Sequence, residues 1–395
     1  MFVNLKPLEI KSFLLLSLIF FLRLLAVFML MPNLALYAQK LDGATSVQVG
    51  LCLGIYGLAQ GLLQIPFGLL SDYWGRRKLV IIGLLLLMLG SLLAAVSEHM
   101  SSFIVARFCQ GLGAIGGVLL AWIADNTRQE VRGPVMGMLG ISIGFAFALG
   151  FIVSPYLMAW HGVSGLLLIG AGLSLISLIV TYFIPVNNLK SELTAPPPIL
   201  SLQRAAHDLK AVFKNPALRV LNANALLIHA ILIALFLQVP LWLDNLHIQG
   251  QALSHFYIGV IVSSGVVALI AISWTSKKKK YIFGLQYALL SMLVANIILC
   301  NFHHSLLNIG LALSLFFCGF NILEGLLPSL VSRLAPQTNK GLALGVHSSI
   351  QFLGMFLGGF LGGILENACG NLGLMAFCIT LPLVGLALNY VKQLN

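Results

Sequence analysis

The chain has 395 residues, 59% of them hydrophobic and 8% charged, with 22 Lys+Arg against 11 Asp+Glu. A soluble domain carries roughly 25% charged residues, so this composition cannot clothe a water-facing surface and excludes a soluble protein. The net charge of +11 does not mark a nucleic-acid binder, because the basic residues sit in short loops between apolar runs and not on one face of a soluble domain.

In chain order, Lys6, Glu9 and Lys11 precede a first long apolar run with no small-residue cleavage site after a short core, which predicts a retained first helix and not a signal peptide. Apolar runs follow at 12–38, 47–71, 79–97, 102–124, 134–158 and 164–185. A polar stretch at 186–216 contains Pro196, Pro197 and Pro198, and six more runs lie at 217–243, 253–275, 281–301, 305–332, 341–366 and 371–391. A hydrocarbon core of about 30 Å needs about 20 apolar residues per helix, and the runs lack the alternation of barrel strands. The expectation is an all-α membrane protein of twelve transmembrane helices. It divides into a six-helix bundle at 1–185, a cytoplasmic linker at 186–216 and a second six-helix bundle at 217–395. A short amphipathic helix is predicted within the linker near Leu202–Phe213.

With the N-terminus placed inside, nineteen of the 22 Lys+Arg fall in inner loops, among them Arg76, Arg77, Lys78, Arg128, Arg132, Lys277 to Lys280, Arg333 and Lys340. The outer loops hold Lys40 alone, and Arg23 and Arg107 lie within helices. That asymmetry predicts both termini in the cytoplasm.

Several patterns carry less than they suggest. Gly111-Leu112-Gly113-Ala114-Ile115-Gly116 fits GxGxxG, but dinucleotide binding requires a preceding strand. Here the glycines fall inside the fourth span, where small residues permit close packing. Gly354, Gly358 and Gly362 form a similar stripe in span eleven. Six scattered cysteines show no metal spacing, and His303-His304 has no third ligand near in sequence, so neither a metal nor a cofactor is expected. No nucleophile–base pair is evident either, so no enzymatic activity is expected.

The loop after span two reads Gly68-Leu69-Leu70-Ser71-Asp72-Tyr73-Trp74-Gly75-Arg76-Arg77-Lys78. Gly68 is expected to let neighbouring helices approach, Gly75 to make a tight turn, and Asp72 to pair with Arg76 at i+4. The loop resembles the GxLxDxxGRRxxL signature of the major facilitator superfamily at Gly68, Asp72, Gly75, Arg76 and Arg77. The resemblance implies two six-helix bundles with this loop latching them at the cytoplasmic side in the outward-open state. Asp125, with Thr127 and Arg128 at the end of span four, is similar to the family's second acidic partner of Arg76. Arg107-Phe108-Cys109-Gln110-Gly111-Leu112-Gly113 resembles the RxxQGxG pattern of drug/proton antiporters. Gly150-Phe151-Ile152-Val153-Ser154-Pro155 departs from the GxxxGPxxGG pattern by carrying Ser154 where glycine is usual. In the second half, 324–336, 340–341 and 345–354 resemble the YajR-like branch of these antiporters, as do Arg23 and 28–32 in span one. That branch often carries a C-terminal soluble domain, which is not expected here because the sequence ends at Asn395 after span twelve.

Ionisable groups at membrane depth mark function by default. Arg23, Arg107, His229 and Glu324 fall on spans one, four, seven and ten, the spans that line the central cavity in the family, and none is expected on the other eight. Glu324 leads as proton carrier, since burial disfavours the ionised form of a carboxyl. His229 is second, because an imidazole titrates at about 6.5 when unperturbed. Arg107 resembles the antiporter arginine linked to proton coupling. Arg23, Gln110, Asn222, Asn321 and Gln351 are candidate cavity residues, while Gln60, Gln64, Asn224 and Gln238 read mainly as interhelical hydrogen-bonding groups. The resulting expectation is a monomeric proton-coupled antiporter in a bacterial inner membrane. It would export a small organic molecule by alternating access, driven by the proton gradient, with an uptake symporter of the same fold as the alternative. Two buried arginines against one buried glutamate hint at anionic or zwitterionic substrates such as organic acids or siderophore-like molecules.

Overall fold

The computed structural model describes residues 5–185, 209–210, 212–335 and 340–391. Most of the expected linker, including the greater part of the amphipathic segment at 202–213, lies outside the described residues, as do Lys190, Arg204 and Lys392.

The described residues are almost wholly helical. The helices are α1 (Pro7–Phe28), α2 (Met31–Ala38), α3 (Ser46–Trp74), α4 (Arg76–Ala95), α5 (Met100–Leu112), α6 (Gly116–Asp125), α7 (Gln129–Tyr182), α8 (Pro216–Asn245), α9 (Gly250–Lys278), α10 (Tyr281–Phe302), α11 (Leu306–Leu334) and α12 (Lys340–Val391). Ten stretches are long and apolar enough to cross a membrane, with α1–α2 and α5–α6 each counted as one. Two are of double length, α7 with 54 residues and α12 with 52. At 1.5 Å per residue each would be about 80 Å long if straight, more than twice a bilayer core. Each is broken by one glycine in a conformation closed to other residues, Gly162 (φ 63°, ψ −174°) and Gly370 (φ 62°, ψ −159°). Both legs of α7 return to the same stretch of α1, Gly150 packing on Phe28 and Met29 and Gly170 on Ala26 and Met29. Both legs of α12 return to α8, with Gly354 against Leu226 and Asn389 bonded to Asn224. Two hairpins and eight further stretches give twelve crossing-length segments.

Local signals set several ends. Thr45 caps α3 through a reciprocal box with Gln48. Asn215 accepts from the amides of Ala217 and Leu218 and Pro216 opens α8, the position where a missing N–H costs nothing. Spans one and four are interrupted, which periodicity did not foretell. Between α1 and α2, Pro32 removes a backbone donor, and Ser154 in α7 compensates: its hydroxyl donates to the Met29 carbonyl at 2.5 Å and accepts from Asn33 Nδ2 at 2.8 Å. The departure from glycine at residue 154 thus repairs a break in the neighbouring helix.

Apolar side chains such as Leu89, Val105, Ile141, Leu269 and Leu311 are largely exposed on the helices' outer faces. A contiguous apolar exterior of this kind requires lipid. Among the described residues, the N- and C-terminal halves close together near one end. The face bearing Arg76, Arg128, Lys277 to Lys280 and Arg333 is here called the basic face. Near the opposite face, α3 and the first leg of α12 meet backbone to backbone through Gly50, Gly54, Gly359 and Gly363. Phe151 of α7 stacks edge-on against Phe236 of α8 and Tyr257 of α9 at the same end. Toward the basic face the contact ends, with nothing within 4 Å of a Cβ added at Gly68, Gly341 or Gly345. The core follows this split. Buried residues of the N-terminal half at the opposite face merge with the C-terminal core, whereas Phe13, Leu16, Leu79, Leu119 and Leu178 form a separate cluster toward the basic face.

Candidate transport site

In the C-terminal half, α8, α11 and α12 bring together the carboxylate, imidazole and amide singled out in the sequence. Glu324 Oε1 accepts a 2.8 Å bond from Gln351 Nε2 and lies 3.6 Å from His229 Nε2. His229 Nδ1 donates to the Ala225 carbonyl at 2.9 Å, one turn back on α8. That bond fixes the ring tautomer, so in the neutral imidazole Nε2 turns a lone pair toward the carboxylate. Carboxylate, imidazole and amide thus face one another across three helices. Asn222, two turns before His229 on α8, accepts from His347 Nδ1 at 2.9 Å.

His347 corrects the expectation that ionisable groups occupy spans one, four, seven and ten alone. It belongs to span eleven, is 1% exposed, and its Nε2 has no partner. Glu366, at the far end of the same leg, accepts from Gln238 at 2.5 Å. The spacing His347–Gln351, one helical turn, carried the signal that these two share a face. Asn321 makes no hydrogen bond among the described residues and does not join the cluster.

In the N-terminal half the two intramembrane arginines are buried without a carboxylate partner among the described residues. Arg107 Nη1 donates to Gln110 Oε1 at 2.6 Å, Gln110 donates on to Ser91 Oγ at 2.9 Å, and the Arg107 guanidinium lies 5.3 Å from the Tyr56 ring. Arg107 touches neither Glu324 nor His229. Arg23 Nη2 donates to the Gly113 carbonyl at 3.2 Å, and Gln60 Nε2 donates to the same oxygen at 3.3 Å. Gly113 sits in the break between α5 and α6, so the GxGxxG stretch is both a packing patch, with Gly111 on Tyr56 and Gly113 on Gly83, and a point where the helix opens.

At the basic face Arg76 bonds Asp72, Ser71 and, at 3.1 Å, Asp125. Arg77 Nη2 donates to the Ile184 carbonyl at 2.5 Å, fastening the end of α7. Gly75 adopts φ 90°, which a side chain would strain. No described residue lies within 4 Å of a Cβ placed at Gly68 in this conformation. Every contact named for this loop lies within the N-terminal half.

A membrane-spanning helical chain in two halves, closed together at one face, with polar and ionisable groups between its helices, defines a polytopic carrier. Residues 16–359 match the Major Facilitator Superfamily model, and the chain belongs to that superfamily. It is 33% identical over 339 residues to the inner membrane transport protein YajR of Escherichia coli K12, covering 85% of this chain and 73% of that one. It is 31% identical over 357 residues to an uncharacterized transporter of Buchnera aphidicola subsp. Acyrthosiphon pisum, covering 88% of both. A bacterial homolog of the human lysosomal transporter Spinster, solved in an inward-facing and unoccupied conformation, superposes with a TM-score of 0.76 at 12% identity over 98% of this chain and 97% of that one.

Proposed function

We propose that this protein is a proton-coupled antiporter of the bacterial inner membrane that exports a small organic molecule by alternating access between its two halves. The observation that carries the reading is the Glu324–His229–Gln351 cluster, where α8, α11 and α12 present a carboxylate and an imidazole separated by 3.6 Å. A proton held there changes the charge between helices that move relative to each other. It biases the equilibrium by the difference in its affinity for the two states. The distribution of Lys and Arg supports the basic face as cytoplasmic, so the conformation described is inward-facing. In the opposite state the Gly68 surface and the Asp72–Arg76–Asp125 cluster meet the C-terminal half, and the glycine contact of α3 with α12 opens.

The test is gradient-driven flux in proteoliposomes. Glu324→Gln should abolish transport driven by a pH gradient while the protein keeps its thermal unfolding transition; undiminished flux ends the assignment. Comparing inside-out with right-side-out vesicles fixes the direction, and uptake coupled to proton entry would replace export by symport.

A further inference from the structure

Of the eight buried or half-buried amides named from the sequence, six bridge to another span: Gln60, Gln110, Asn222, Asn224, Gln238 and Gln351. Half-buried Asn321 and buried Gln64 do not. Gln64 is 5% exposed on α3, its Oε1 has no partner, and its side chain makes no hydrogen bond among the described residues. The amide nitrogen has no acceptor among the described residues and can donate to a bound group, whereas the unpartnered Oε1 is itself an acceptor. Gln64 points at the break in span four, where α6 begins at Gly116 and Gly117. The atoms nearest to a Cβ placed at Gly116 would be Gln64 Nε2 at 3.5 Å, Arg23 Nη1 at 3.6 Å and Gln64 Oε1 at 4.0 Å. At Gly117 it would meet the Gln64 amide alone, with Nε2 at 3.3 Å.

A guanidinium and an amide thus lie side by side against Gly116 and Gly117, whose lack of side chains lets them approach the helix start. Arg23 is 2% exposed, its Nε is unpartnered, and no carboxylate pairs with it among the described residues. The first amides of a helix lack internal partners and carry partial positive charge. Carboxylates of this half lie at helix ends, where Glu9 is engaged by Arg128, and Asp72 and Asp125 by Arg76.

The geometry points to an anion subsite at the break between α5 and α6, in which Arg23, Gln64 Nε2 and the amides of Gly116 and Gly117 hold the carboxylate of a small organic acid. The subsite names a substrate class for the transport reading above and rests on it only for direction and energy source. Carboxylate binding here pairs the Arg23 guanidinium with an anion and gives Gln64 Nε2 an acceptor. Because Arg23 also holds the Gly113 carbonyl, the ligand contacts the hinge of span four directly.

The experiment is thermal unfolding of the purified full chain in detergent at fixed ionic strength, with acetate, benzoate or citrate, and with benzamide as the uncharged counterpart of benzoate. At least one acid should raise the transition temperature by a few degrees where benzamide does not. Arg23→Gln and Gln64→Leu should each lose that rise, and Arg23→Lys should keep part of it. A rise that persists in both Arg23→Gln and Gln64→Leu, equal rises with benzoate and benzamide, or no rise with any acid would overturn the subsite. None of these results touches proton coupling, which the flux assay decides. Should Arg23→Gln show no cooperative transition, Gln64→Leu alone decides.

Discussion

Gly50 of α3 and Gly359 of α12 face each other so closely that a Cβ on Gly50 would stand 2.2 Å from the Gly359 carbonyl oxygen. The obstacle is backbone, so no side-chain rotation relieves it. Overpacking of this kind costs about 1–3 kcal/mol, and 1.4 kcal/mol is a tenfold change in an equilibrium. Gly50→Ala should therefore shift the protein toward the state open at the face opposite the basic one by about ten- to a hundredfold. Labelling of a cysteine introduced at Ser46 by an impermeant maleimide measures it. An unchanged labelling rate would show that this contact does not hold the closed state.

Ser154 joins the two parts of span one through Met29 and Asn33. Ser154→Ala leaves a buried carbonyl and a buried amide short of a partner, at a cost of about 1–3 kcal/mol. Thermal unfolding in detergent should show the loss. Ser154→Gly, which restores the residue usual in antiporters, should be no more stable than Ser154→Ala.

Asn222 and His347 form a buried pair, 2.9 Å apart, between α8 and α12. Asn222→Leu and His347→Leu should each destabilise by about 1–3 kcal/mol, because each orphans the other partner. The double substitution should cost less than the sum, with a coupling of about 0.5–3 kcal/mol. Strict additivity in a chemical unfolding series would mean that the pair makes no effective bond.

Arg76 is shared by Asp72 and Asp125. Removing one carboxylate strengthens reliance on the other, so Asp72→Asn and Asp125→Asn should be non-additive in stability, again by about 0.5–3 kcal/mol. Arg76→Lys should not rescue, since an ammonium cannot present several fixed N–H donors to two acids and the Ser71 hydroxyl together. Full stability of the lysine variant would reduce the cluster to simple charge pairing.

The membrane class, the segment boundaries to within a few residues, and the identity of the charged loop were legible in the amino-acid order alone. Each follows from local quantities: apolar run length against bilayer thickness, and the placement of Lys and Arg. That order also named Glu324, His229 and Gln351 individually. That these three meet, that His347 belongs with Asn222, and that Arg107 stands apart from the Glu324–His229 pair came from the folded arrangement alone, because contacts between helices distant in sequence leave no periodic trace. The breaks in spans one and four were equally hidden. One is stabilised by Ser154, more than a hundred residues away in the chain, and the other leaves Gln64 unbonded before two glycines. A hydrogen bond that is missing can be seen only once every possible partner has a position in space.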